Sequence, residues 1–187
     1  MMEQKEKPFS LGILVGRFQT LHSGHEQMIH TALSLCSRVG IFVGSAQESG
    51  TVQNPFPYET RKQLLQLLFG NRVQIFPLPD IGVGNNGTWG EYVLENVKKQ
   101  YGIYPDLLVS GKEARRISWF DGVQGVQISE LYIPKTVDIS ASRMRSFFLR
   151  GERELWQQYT NPILWSRYDL LQKMVLESRD NDRTASL

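Results

Sequence analysis

The stretch Gly16-Arg17-Phe18-Gln19-Thr20-Leu21-His22-Ser23-Gly24-His25 decides how this chain is read. It follows an apolar run at residues 11–15, which reads as a short buried strand. It leads into Met28, Ile29, Ala32, Leu33 and Cys36, the spacing of a helix with one apolar face. The unit is strand, glycine turn, helix. Ser23 followed by Glu26 has the pattern of a capping box, which predicts a helix start at about Gly24, with backbone N–H groups and the positive end of the helix dipole facing the loop. Such a start suits an anion. A histidine near a helix start is ordinarily surface or core filler, but two of the chain's three histidines fall in this turn beside Arg17. Two imidazoles and a guanidinium around a helix start point to a phosphate whose charge changes during a reaction.

A length of 187 residues with 41% hydrophobic content allows one well-buried domain with a helical appendage and is too short for two full domains. The net charge of +2 is small and dispersed, which argues against nucleic acid or membrane as partner. Cys36, the single cysteine, lies on the apolar stripe of the first helix and reads as a buried small hydrophobe. The first eight residues are charged and lack an apolar core of signal-peptide length. No run of about 18 apolar residues follows, so a cytoplasmic protein is expected.

The rest of the chain alternates strands and helices, which argues for an α/β fold: a Rossmann-like, doubly wound parallel sheet of about five strands. Strands are expected at 11–15, 39–44, 73–77, 107–110 and 126–132. The second helix is expected to start at Pro57 and stop at Gly70, with Leu64, Leu65 and Leu68 buried. Arg61 lies one turn earlier on that same face. A guanidinium there must reach an anion or snorkel out to solvent. Gly82-x-Gly84-x-x-Gly87 matches a dinucleotide fingerprint formally, but it follows the third strand and not the first, so it reads as a substrate loop. Thr88 with Glu91 forms a second capping-box pattern. Trp89 in the first turn behind it, beside Asp80, suits either core packing or stacking on an aromatic ring.

Ser110-Gly111 ends the fourth strand and can bring backbone close to a nucleotide; the roles of Lys112, Arg115 and Arg116 stay open. Ile139-Ser140-Ala141-Ser142-Arg143-Met144-Arg145 is a second constellation. Met144, Phe147 and Phe148 form a helical stripe that Gly151 ends, so a hydroxyl-capped helix starts at Ser140 to Ser142. Ser142 and Arg145 then share one face of its first turn, and a second anion site results. The core is read as about 9–150, followed by two appended helices broken at Asn161-Pro162, and disorder is expected from about Glu177 to the end.

The first stretch resembles the signature of the nucleotidyltransferase superfamily that shares its His-x-Gly-His turn with class I aminoacyl-tRNA synthetases. The opening Gly-Arg-Phe-Gln is similar to that of the nicotinamide mononucleotide adenylyltransferases of archaeal and bacterial type. Thr20 departs from the pattern, since that family usually has Pro there. The segment from Gly44 to Ser49, then Asn54-Pro55-Phe56 and Arg61, resembles the same enzymes. Ile139-Ser140-x-Ser142-x-x-Arg145 resembles the second superfamily signature, which grips the nucleotide triphosphate.

The resemblance implies transfer of AMP from ATP to nicotinamide mononucleotide, giving NAD and pyrophosphate without a covalent intermediate. It implies His22, His25, Arg17 and Arg145 as catalytic residues, and Gly16, Phe18, Gln19, Gly24, Gly111, Ile139, Ser140 and Ser142 as the ATP site. Arg61, Asp80 and Trp89 fall to the acceptor. Mg²⁺ is expected to ride on the ATP phosphates, with no metal site in the protein. A homo-oligomer is left open, since relatives often assemble. The alternatives are adenylyl or cytidylyl transfer to another phosphomonoester, and a catalytically silent nucleotide-binding regulator.

Overall fold

A computed structural model of the chain describes residues 6–84, 86–111, 117–121, 123 and 125–184. Five strands, β1 (Phe9–Gly16), β2 (Cys36–Gly44), β3 (Gln74–Leu78), β4 (Leu107–Ser110) and β5 (Ser129–Tyr132), form one sheet in the order β3-β2-β1-β4-β5. Every neighbouring pair is parallel. Helices α1 (Ser23–Leu35), α2 (Tyr58–Phe69), α3 (Gly87–Tyr101) and α4 (Ala141–Arg150) connect or follow the strands, and α5 (Arg153–Gln158) and α6 (Tyr168–Thr184) are appended.

Successive strand side chains alternate between two buried layers, because the side-chain period of a strand is two. Leu14, Val39, Ile41, Val43, Leu107 and Val109 pack toward α1, α2, α4 and the appended helices. Leu11, Ile13, Phe42 and Leu108 pack on the other face against Val93, Leu94 and Val97 of α3. Both faces of the sheet are thus covered. This explains why the strands read as near-continuous apolar runs.

The chain steps outward from β1 to β3, then returns to lay β4 against the other side of β1. The strand order reverses between β1 and β4, which opens a crevice at their C-terminal ends. The Gly16 to His25 turn leaves β1 at that end, and Gly111 follows β4 there. The fold therefore puts the first predicted anion-binding turn and Gly111 where open α/β sheets bind their ligands.

Several expectations are corrected. Cys36 is not on the first helix: α1 ends at Leu35, and Cys36 opens β2, where it is 1% exposed. Neither capping box forms. The Ser23 N–H donates to the Tyr159 carbonyl (2.8 Å), and the Glu26 carboxylate accepts from Asn161 Nδ2 (3.0 Å), so docking of the appendage takes over both groups. Helix α3 is capped by Asn86, whose side chain accepts from the Trp89 N–H, two residues ahead of the expected cap at Thr88. The polar segment from Glu177 is helical to Thr184, because Tyr168, Leu171 and Val175 anchor the preceding turns of α6 in the core. Strand β5 starts at Ser129, three residues later than expected.

Gly90 lies in α3 where the helix touches the turn at Ile117–Phe120: a Cβ there would stand 1.7 Å from the Trp119 carbonyl oxygen. Gly90→Ala is expected to cost about 3 kcal/mol in a urea unfolding series, within the range for overpacked sites, and to weaken the near-ultraviolet signal of the Trp89–Trp119 pair. Wild-type stability in that variant would show that the contact is not rigid.

Candidate active site

The loop after β1 is a tightly bonded turn. Phe18 takes a positive φ of 52°, and the Gln19–Thr20 peptide is cis. Phe18 is buried, 5.0 Å between ring centroids from His25, and Gln19 is buried as well. The Gln19 carboxamide pairs with the main chain of Phe56 on both sides: Nε2 donates to the Phe56 carbonyl (3.0 Å), and Oε1 accepts from its N–H (2.9 Å). Two residues expected to face ATP therefore turn inward: Phe18 sets the position of His25, and Gln19 splices two loops.

His22 and His25 stack with ring centroids 3.9 Å apart. His22 caps α1, its carbonyl accepting from the N–H groups of His25 and Glu26. Gly24 lets the ring lie down, since a Cβ there would come within 3.1 Å of His22 Nδ1. Burial, with a smaller contribution from the Lys135 charge, lowers the His22 pKa to about 4. Burial and then His22 hold His25 well below the ordinary value. Both rings are neutral at pH 7. They can offer N–H donors and not charge, and both Nδ1 atoms are buried without a protein partner among the described residues.

The positive charge comes from three arginines. Arg17 is exposed, with Nη1 only 3.4 Å from Asn54 Oδ1. Arg145 Nη1 donates to the Gln19 carbonyl (2.7 Å) and Nη2 to Ser142 Oγ (3.3 Å), which joins the two signatures across 126 positions of sequence. Burial and then Arg17 lower the pKa of Arg145. Arg61 behaves differently from either expectation. It neither snorkels nor faces the crevice: it is 0% exposed, with Nη1 donating to the carbonyls of Arg17 (2.9 Å) and Gly44 (2.8 Å) and Nη2 to that of Ser45 (3.0 Å). Burial and Arg17 bring its pKa down to about 10, with Asp80 acting in the opposite direction. Its hydrogen bonds hold the strand ends beneath the crevice.

The other predicted residues divide similarly. Gly16 borders the Phe18 ring, and Gly111 admits α1, since a Cβ there would meet Met28 Sδ at 2.7 Å. Ile139 is buried in the core, so its side chain has no exposed surface for ATP. Ser140 caps α4, its Oγ accepting from the Arg143 N–H (3.2 Å), while Ser142 is exposed beside Arg145. Asp80 is exposed, and its main chain pairs with the Gln47 carboxamide (2.9 and 3.3 Å). Trp89 is 8% exposed and packs edge to face on Trp119, so most of the ring belongs to the core. Lys112, Arg115, Arg116 and Asn85 lie outside the described residues. Gln47 and Asn54 stand in the sequence reading only as parts of the resembling segment with no role of their own, because each meets its partner only through loop packing, and Lys135 is not singled out. Among the described residues, no three His, Cys, Asp or Glu side chains gather as a metal cluster, and no helix is long and apolar enough to cross a membrane.

Residues 13–147 match the cytidylyltransferase-like family. The chain belongs to that family. It is 37% identical over 94 residues to the nicotinamide-nucleotide adenylyltransferase of Thermococcus kodakarensis, a match covering 47% of this chain and 49% of the relative. The chain thus spans about half the length of that relative. Against the enzyme of the same name from Aeropyrum pernix, identity is 31% over 156 residues, covering 80% of this chain and 85% of the relative. The resemblance read from the signatures is borne out. Among solved structures, a bifunctional NMN adenylyltransferase/ADP ribose pyrophosphatase from Francisella tularensis, complexed with AMP and a manganese ion, superposes with a TM-score of 0.75 at 23% identity. It covers 95% of this chain and 54% of its own, and shows the shared fold.

Arg61→Leu would leave three carbonyls without their donor. It is expected to lower unfolding free energy by about 3 kcal/mol in urea, while an unchanged midpoint would show water replacing the guanidinium. His22 gives a pH dependence. Its folded pKa of about 4 lies below the ordinary 6.5, so the unfolded chain gains a proton first as pH falls. Its contribution to stability is full above pH 6.5 and lost between 6.5 and 4, on the order of 3 kcal/mol in all. Unfolding series at pH 7.5 and 5 are expected to show a smaller loss for His22→Gln than for wild type.

Proposed function

We propose that this chain is a nucleotidyltransferase that moves AMP from ATP to nicotinamide mononucleotide, giving NAD and pyrophosphate. The observation that carries the reading is the 2.7 Å bond from Arg145 Nη1 to the Gln19 carbonyl, which puts a hydroxyl-and-guanidinium helix start beside a neutral histidine pair in one crevice. The names of the relatives from Thermococcus and Aeropyrum support the same activity.

The chemistry follows from charge. The phosphate of the mononucleotide is already an anion and attacks the α-phosphorus of ATP in line; the bond to the bridging oxygen breaks, and pyrophosphate leaves. A general base is not required. The protein must align two repelling anions and stabilise the added negative charge in the transition state. Neutral His22 and His25 donate N–H groups to the reacting phosphate. Arg17, Ser142 and Arg145 hold the β- and γ-phosphates, aided by the N–H groups at the start of α4. Gly16, Gly24 and Gly111 shape the floor. A divalent cation, Mg²⁺ in this reading, arrives on the triphosphate with most of its own waters.

Asp80 and the uncovered edge of Trp89 read the acceptor. Arg61 serves it indirectly, through the loop ends it holds. The appended helices belong to the same catalytic unit, because they cap the histidine turn.

The test is NAD formation from ATP, Mg²⁺ and nicotinamide mononucleotide, run beside His25→Ala. Loss of about a hundredfold or more in the variant is expected. If no NAD forms while ATP still raises the melting temperature, the acceptor is another phosphomonoester. If ATP has no effect either, the reading is wrong.

A further inference from the structure

The segment between α5 and the turn at Pro162–Arg167 touches the helices of both signatures. The Tyr159 carbonyl accepts the Ser23 N–H at the start of α1 (2.8 Å), while the Tyr159 ring stacks on Phe147 of α4 with centroids 6.0 Å apart and planes 12° from parallel. The Ser23 N–H is one of the donors that a helix start leaves free. Here it is bonded to the appendage, so it serves position and not phosphate. Two residues on, Asn161 uses both ends of one carboxamide. Its Oδ1 accepts the Ile163 N–H (3.1 Å), which caps the turn, and its Nδ2 donates to Glu26 Oε2 (3.0 Å) across 135 positions of sequence. Glu26 follows His25 directly; its carboxylate is favoured by the positive end of the α1 dipole and takes its direction from Asn161. The segment is itself anchored. Trp156 is fully buried and its carbonyl accepts from Thr160 Oγ1 (3.0 Å), and Leu164 and Tyr168 are buried on the far side of Asn161.

Resting on the adenylyl-transfer reading, we propose that Asn161 is a positioning residue of this reaction: through Glu26 it holds the first turn of α1, and with it His22 and His25, at a fixed distance from the Ser142 and Arg145 start of α4. The two anion sites must meet one substrate at two places, the histidines at the reacting phosphate and Arg145 at the leaving end. The Arg145 bond to the Gln19 carbonyl ties α4 to the loop ahead of the histidines, and Tyr159 and Asn161 tie it to the helix turn behind them. A shift of α1 would leave each site able to bind phosphate and would put the histidines off the line of attack. The loss then falls on turnover and not on affinity.

The test exchanges donor and acceptor. Asn161→Asp sets a carboxylate against Glu26, and the double variant Glu26→Gln/Asn161→Asp restores the hydrogen bond with the donor on α1, while the new carboxylate still caps the turn. With ATP, Mg²⁺ and nicotinamide mononucleotide, Asn161→Asp is expected to lower kcat about tenfold and to leave both KM values within about twofold; the double variant regains kcat to within about twofold of wild type. Proton NMR of the histidine rings supplies a readout independent of activity: the shifts of the stacked His22 and His25 pair move in Asn161→Asp and return in the double variant. Should Asn161→Asp fail to fold, Asn161→Ser keeps an oxygen cap and removes only the donor, with the same kcat and KM split expected. Wild-type kcat and ring shifts in the single variant, or a lowered kcat that the double variant does not regain, overturn the role of Asn161 and leave adenylyl transfer intact. If wild type forms no NAD, the adenylyl-transfer reading fails, and ring shifts that stay in place in Asn161→Asp overturn the positioning role as well.

Discussion

Arg61 carries a positive charge into a place that water does not reach, and the chain meets it with main-chain carbonyls from two loops. Their position explains the arrangement. Gly44 ends β2, Ser45 follows it, and Arg17 follows the last residue of β1, so the carbonyls belong to neighbouring parallel strands where the ladder runs out. A forked donor with a fixed plane can bind such groups together, and an ammonium could not match it. Without that fork the two loops that shape the crevice would share no rigid floor.

Side-chain amides extend the same logic outward. Gln19 pairs with the Phe56 main chain and Gln47 with that of Asp80, so each loop at the C-terminal edge of the sheet is spliced to the next. The appended helices complete the ring. Tyr159 receives the Ser23 N–H at the start of α1, Asn161 holds Glu26, and Asp182 on α6 accepts from the Val52 N–H in the loop before α2. Segments far apart in sequence thus stiffen a site whose own residues are short turns.

The electrostatic result is a crevice that waits for negative charge. Arg17 lowers the pKa of both Arg61 and Arg145, which means that the guanidinium groups repel one another, and Asp80 is the carboxylate that offsets Arg61. The buried histidines answer by staying neutral. A bound anion would relieve the repulsion, so anion binding and the balance of charge in the site are linked.

What the sequence by itself determined was local and periodic. The alternation of strand and helix, the strand at 107–110, the glycine stop at Gly151 and the break at Asn161-Pro162 follow from spacing and backbone preference, which act over a few residues. The two signatures were legible for the same reason, because each is one turn and one helix start. Tertiary structure alone decided which of their residues face the crevice. Phe18, Gln19 and Ile139 stand inside the same motifs as His22, Ser142 and Arg17, yet they turn into the core, as Arg61 does on α2, since only the packed loops supply the carbonyls and ring contacts that make burial favourable. The caps show the same division: Ser23 and Glu26 have the right spacing for each other, but the docked appendage takes the Ser23 N–H and the Glu26 carboxylate instead. A pattern names the groups that can bond, and the packed chain chooses among the partners it brings near.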